Sequence, residues 1–337
     1  MDEVDDYPHW EDLLPDALGL IIKKLPLQEI LTVIPRVCKS WTRAVQGPYC
    51  WQKIDIYEWS TECVPEQLDR MLRLLIGRSC GSLRELHVAC VNDDRLFSFI
   101  AEHASSLQKL ILRRSEISDA IVTEFAGKFS SLSSLDLSYC YEIRTKALEA
   151  IGRSCKSLVS LSWNMHPIVF EDRPSYVDEA HAIANTMPKL KHLELAYVHI
   201  DVGSVLDILS GCRDLELLDL RGCWDVELDK KFFEEKHPKV KILGPHVDMG
   251  YLERGCWDYA SDFSDDYWMD SSDDEFYGDY YYSDDNYDPE DDIIDDNGTE
   301  RGYTGPRYDG MWSAEDLLAL RFHHEMDGDL QVWPASP

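Results

Sequence analysis

The chain of 337 residues carries 64 acidic against 33 basic side chains, a formal net charge of −31, and is 44% hydrophobic. That length suits two domains and leaves room for a sizeable core, while the charge repels phosphates and anionic lipid. No basic cluster exceeds a pair (Lys23-Lys24, Arg113-Arg114, Lys230-Lys231), so nucleic acid and membrane surfaces are poor partners.

The opening stretch, MDEVDDYPHWEDLL, has neither a basic flank nor an apolar run of signal-peptide length. With no eighteen consecutive apolar residues anywhere, a soluble intracellular protein of the nucleus and/or cytoplasm is expected. From Leu14 to Trp41 three short apolar helical patterns follow, broken by Pro26 and Pro35. The first stripe is Leu14, Leu18, Ile21, Ile22 and Leu25, with Pro15 tolerated in a first turn. The second is Leu27, Ile30, Leu31 and Ile34, and the third is Val37, Trp41, Ala44 and Val45, ended by Gly47-Pro48. Three short helices cannot bury so many apolar side chains among themselves. The remainder should form an exposed patch, which on a soluble protein marks an interaction surface.

A repeat then begins. The pattern L-x-x-L-x-L recurs from Leu83, Leu107, Leu132, Leu158, Leu190 and Leu215, at spacings of 24, 25, 26, 32 and 25. Trp51, Ile54 and Ile56 fit the same register before the series, and Val240 with Leu243 after it, which makes seven repeats and a truncated eighth. Between the strands lie amphipathic stretches, clearest in PEQLDRMLRLLIGRSC, where Leu68, Met71, Leu72, Leu75 and Ile76 share a helical face. A strand plus one helix cannot cover its own apolar face, so the units should stack into a solenoid. The cysteines follow this register. Cys80, Cys155 and Cys212 stand three before an anchor leucine, and Cys140 and Cys223 eight after one, so buried small side chains are expected at all five. The long repeat from Leu158 holds Trp163 and an insertion, HPIVFEDRPSYVD, that is either a plain loop or a recognition element.

The opening helices resemble the F-box, on Leu14-Pro15, Leu18, Ile22, Leu25, Leu31, the run Val37-Cys38-Lys39-Ser40-Trp41, and Trp51. The repeats resemble the cysteine-containing leucine-rich repeat, best in LSSLDLSYC and LELLDLRGC. Together they look most like plant F-box proteins of the leucine-rich-repeat type. The architecture expected is α/β: a three-helix F-box over 9–56, then a curved leucine-rich-repeat solenoid over 51–245. The resemblance implies a non-catalytic substrate receptor of an SCF-type ubiquitin ligase. Leu14, Pro15, Leu18, Ile22, Leu25, Leu31, Val37, Cys38, Lys39 and Trp41 would bind a Skp-type linker, and through it a cullin. An interaction scaffold outside any ligase is the alternative.

If a protein substrate uses the strands, it should meet side chains alternating outward from them. These are His87, Ile111, Asp136, Ser162, Glu194 and Asp219, with Arg113, Asn164 and Arg221 in the next column. No nucleotide-binding, zinc-protease or nucleophile-elbow motif occurs, and the histidines are scattered, so no cofactor, metal or catalytic residue is assigned.

Past Pro245 the repeat gives way to an acidic, aromatic-containing stretch over 246–310. Residues 253–300 hold nineteen acids against Arg254 alone, a composition expected to stay disordered and to favour a basic partner. Over 311–337, Ser313 and Asp316 begin a short amphipathic helical pattern with Leu317, Leu318, Phe322 and Met326.

Overall fold

The computed structural model describes residue 10 and residues 13–166, 174–227 and 236–246. The acidic stretch, the second amphipathic pattern and most of the insertion therefore lie outside the described residues.

The first described elements are α1 (Pro15–Ile22), α2 (Leu27–Thr32), a 3-10 turn over Ile34–Arg36, and α3 (Lys39–Gln46). Proline stands at the first position or in the first turn where it can, and stops the preceding helix elsewhere. A second 3-10 turn, Pro48–Trp51, leads into the first strand. Trp51 is fully buried, and its indole N–H donates to the carbonyl of Val45 at 2.7 Å, which ties α3 to the sheet that follows.

Eight strands then form one parallel sheet in sequence order. They are β1 (Lys53–Asp55), β2 (Glu85–Ala89), β3 (Lys109–Arg113), β4 (Ser134–Asp136), β5 (Ser160–Ser162), β6 (His192–Glu194), β7 (Leu217–Asp219) and β8 (Lys241–Leu243). Helices join them: α4 (Tyr57–Glu62) and α5 (Pro65–Ser79) after β1, then α6 (Asp94–His103), α7 (Asp119–Phe125), α8 (Thr145–Ser154), α9 (Val177–Thr186) and α10 (Val202–Gly211). The repeat spacing predicts the pairing directly. Ile54, Leu86, Leu110, Leu135, Leu161, Leu193, Leu218 and Ile242 stand opposite one another as a single row.

All eighteen apolar positions of the six L-x-x-L-x-L motifs are 3% exposed or less. They form the core between sheet and helices, where each fully buried leucine contributes roughly 2 kcal/mol relative to exposure. Trp163 occupies one of these leucine positions and meets Tyr176 edge to face at 5.3 Å. Of the five cysteines placed by register, Cys140, Cys155, Cys212 and Cys223 are buried, and burial raises the Cys140, Cys212 and Cys223 thiols to about 12. Cys80 departs from that expectation. It ends α5 in a left-handed conformation, φ +48°, and is exposed, because the helix stops there instead of packing on.

Polar side chains lock the helix starts of adjacent repeats. Asp94 accepts from the Ser118 backbone and hydroxyl at 2.8 and 2.6 Å, and Asp119 accepts from the backbones of Arg144 and Ala147. Glu179, 2% exposed, takes the third link from Thr145 and Arg144 at 3.0 Å each. Just after the strands, seven residues past the anchor leucine, the backbone turns left-handed at Cys90, Arg114, Tyr139, Tyr197 and Gly222. Only glycine fits the last of these, since a Cβ there would lie 2.3 Å from the Tyr197 ring.

Candidate functional site: an apolar helical patch and a polar strand face

Two surfaces stand out. The first is on the opening helices. Leu14 is 74% exposed, and Leu20, Ile21, Leu25, Val33 and Val37 are exposed with it. A groove lined by Trp10, Leu18, Ile21, Ile22, Leu25 and Trp41 runs through this patch and is almost wholly apolar. So much aliphatic surface on fewer than forty residues exceeds what a solvated face carries.

The residues assigned to linker binding separate here. Leu14, Leu25, Val37 and Lys39 are exposed, and Pro15, Cys38 and Trp41 are half-buried. Leu18, Ile22 and Leu31 are 1, 1 and 3% exposed and form the interior of the helices, with Leu18 and Ile22 flooring the groove. They hold the patch together from beneath and present little surface of their own. Leu20, Ile21 and Val33 belong to the exposed patch instead. They precede or follow an interior residue by one position, and an unbroken apolar run such as Leu20-Ile21-Ile22 hides which side faces out.

The same helical segment carries Lys23, Lys24, Arg36, Lys39 and Arg43. Over residues 13–52 these five cations face only two acids, Asp16 and Glu29. Within a chain of net charge −31 the helical segment is locally positive.

The second surface is the strand face opposite the core. Asp55, His87, Ile111, Asp136, Ser162, Glu194, Asp219 and Leu243 form one row across all eight strands, with strand register pairing each to the next. The row is less open than alternation alone predicts, because several members pair with one another. His87 Nδ1 lies 2.8 Å from Asp55 Oδ2, and that hydrogen bond holds the Asp55 carboxyl below its ordinary range. Arg113 Nε donates to Asp136 Oδ2 at 2.7 Å, and Arg221 Nε donates to both oxygens of Asp219 at 2.9 and 3.0 Å. Asp136 and Asp219 are consequently buried at 7 and 2% exposure, and His87 at 9%. Burial alone would ease the Arg113 proton off, but Asp136 and Tyr57 outweigh it and hold the guanidinium firmly charged. Asn164 bridges two strands: its amide donates to Ser138 Oγ at 3.1 Å and Glu194 at 3.4 Å, and its oxygen accepts from the Ala196 backbone at 2.8 Å.

What remains accessible along this face is Asp55, Ile111, Ser162, Asn164, Glu194, Leu243 and the outer edges of Arg113 and Arg221, each guanidinium fixed by its carboxylate. The loops beyond the strands add exposed aromatics, Tyr141 and Trp224, the latter packed edge to face on Tyr197 at 5.7 Å. Neither aromatic was singled out by the strand pattern, since both lie past its last position. Among the described residues, no group of three histidine, cysteine or acidic side chains is placed to hold a metal ion, and no helix is long and apolar enough to cross a membrane.

A parallel strand-and-helix repeat joined to short helices with an unsatisfied apolar face defines a leucine-rich-repeat protein equipped to dock on something else. No family model matches the chain. Known relatives supply the rest. The chain is 52% identical over 308 residues to the F-box protein FBW2 of Arabidopsis thaliana, covering 88% of this chain and 97% of that one. It is 34% identical to the F-box protein SKIP19 of the same plant, over 83% and 91% of the two chains. The putative F-box/LRR-repeat protein 23, also of Arabidopsis thaliana, is 34% identical over 67% of this chain and 51% of its own length. This chain belongs to the F-box protein family, in its plant leucine-rich-repeat form.

Proposed function

We propose that the chain is the substrate-recognition subunit of an SCF-type ubiquitin ligase. The opening helices act as a three-helix F-box over 9–56 that holds a Skp-type linker, and the linker joins the chain to a cullin. The repeats over 51–245 hold a protein substrate. The chain contributes position and no reaction of its own: it raises the concentration of a captured protein near a conjugating enzyme carried elsewhere in the assembly.

The observation that carries this reading is the patch of Leu14, Leu20, Ile21, Leu25, Val33 and Val37, exposed on helices whose interior is already filled by Leu18, Ile22, Ile30, Leu31 and Ile34. Burying that patch against a partner is its simplest use. The substrate face is the row from His87 to Asp219 with Arg113, Asn164 and Arg221. There the ion pairs hold side chains in fixed positions before any partner arrives, which lowers the ordering cost of binding.

The test is copurification of the full chain with a Skp-type linker and a cullin from plant cells, followed by proximity labelling with and without proteasome inhibition. The expected result is recovery of both ligase subunits, and labelled proteins that accumulate only when the proteasome is blocked. Absence of linker and cullin from the purified chain would remove the proposal.

A further inference from the structure

The loops that follow the strands carry exposed charge of one sign. Over the described loops after β2 to β7, six charged side chains are exposed, Asp93, Glu116, Glu142, Asp201, Asp225 and Glu227, and all six are acids. The arginines of the same loops, Arg114, Arg144 and Arg221, are half-buried, and carboxylates hold two of them, Glu179 on Arg144 and Asp219 on Arg221. Asp93 and Asp201 have a local use, since each caps the helix that follows it.

Two of the remaining acids stand beside the exposed aromatics of these loops. Tyr141 and Trp224, 43 and 46% exposed, occupy the same place in their repeats, nine residues past the anchors Leu132 and Leu215. Each is followed at once by an exposed acid, Glu142 and Asp225. Asp225 lies 3.2 Å from His199 yet keeps 64% of its side chain in solvent. These two aromatic-acid pairs sit past β4 and β7, three strands apart, which is about 14 Å at the usual strand spacing.

We infer that this edge of the sheet takes a basic protein segment in extended form, one lysine or arginine on Tyr141 and Glu142 and a second on Trp224 and Asp225. Four residues of extended chain span about 13 Å, so the two cations stand four positions apart in the partner. Each cation meets an aromatic face and a carboxylate together, and a net charge of −31 draws such a segment in. The edge is continuous with the polar row, since Asp219 and Arg221 lead directly into the loop of Trp224. The inference rests on the substrate-receptor reading above and names the chemistry of the substrate.

The probe is a nine-residue glycine-serine peptide with arginines at its third and seventh positions and a photoreactive side chain between them, offered to the full chain. Crosslinks mapped by mass spectrometry should fall in 137–144 and 220–227. Crosslinks confined to other segments, the acidic stretch over 246–310 included, would overturn the inference. Affinity should drop about tenfold in Tyr141→Ala with Trp224→Ala and return in Tyr141→Phe with Trp224→Phe, which keeps both ring faces. Glu142→Gln with Asp225→Asn should weaken binding several-fold at low salt and little at high salt. Equal affinity in the native chain and these variants, or equal affinity for a peptide with arginines only two positions apart, would likewise overturn it. In plant cells the alanine pair should lose the proteasome-dependent labelling while linker and cullin still copurify. Full labelling with both ligase subunits present would sink the inference and leave the receptor reading standing. Loss of linker and cullin from the native chain would remove that reading instead, and the crosslinks would still decide whether the edge takes a basic segment.

Discussion

The opening helices and the strand face treat charge and apolar surface in opposite ways. On the strand face Arg113 and Arg221 are each held by a carboxylate of the same row, and apart from Ile111 and Leu243 the row is polar. On the helices six aliphatic side chains face solvent and the cations of the segment form no ion pair within the described residues. A surface that is internally satisfied can be specific without being sticky, and it suits a partner chosen by shape and charge. A surface left unsatisfied has its free energy still to gain from a partner, and it suits a constant one.

This contrast can be broken most sharply at the patch. Ile21→Arg with Leu25→Arg should lower linker affinity by about a thousandfold, since two central apolar contacts are lost and two charges must be desolvated. The thermal midpoint should stay close to that of the native chain because both positions are exposed. Isothermal titration with a purified linker, alongside a melting curve, measures both. A fully bound double variant would end the contrast.

The complementary change is inside the repeats. Leu193→Ala, at a fully buried row position, should cost about 3 kcal/mol of stability in urea unfolding and leave linker binding unaltered. Repeats contact only their neighbours, so damage at β6 does not reach α1. A parallel loss of linker affinity would show the two regions to be one cooperative unit.

Smaller is the effect of Arg113→Ala, about 2 kcal/mol, for a residue that looks like surface. It leaves Asp136 buried without its charged donor, with only the Ser138 backbone N–H still donating to it. Replacing Arg36, a cation of the helices, should cost nothing measurable in the same unfolding experiment, and the difference between the two substitutions is the comparison in its plainest form.

The smallest effect is on pH. The hydrogen bond from His87 lowers the Asp55 carboxyl pKa in the fold, so its stabilisation is present above the unfolded carboxylate value and is lost as pH falls through the folded one. Asp55→Asn should narrow the difference between urea midpoints measured at pH 6 and near pH 3, the carboxylate range. An unchanged difference would mean the contact is absent in solution.

The repeat was legible because one spacing dictates both the strand and its burial: Leu110 falls opposite Leu86 and Leu135 for the same reason that all three are interior. The outward row could be read from alternation, but its ion pairs could not, since Asp136 and Arg113 meet across neighbouring strands 23 residues apart. On the helices the apolar positions were visible and their division into inside and outside was not. Leu18 and Ile21 look equivalent in sequence, and packing of α3 against α1 decides that one is floor and the other rim. The short α4 went unread as well, since YEWSTE carries no apolar stripe long enough to mark it.

The left-handed turn after the strands has a further consequence for how this protein can vary. At that position the backbone asks for glycine, and a side chain there costs roughly 1 to 2 kcal/mol. Gly222 complies, and Tyr197 offsets the cost by being buried against Trp224. Arg114, Cys90 and Tyr139 adopt the same conformation while only partly buried, Tyr139 against the His166 ring and Arg114 and Cys90 at φ +51° and +57°. At each, what the side chain gains from its surroundings is set against a backbone preference for glycine, so these positions balance two opposing terms where Gly222 answers to one.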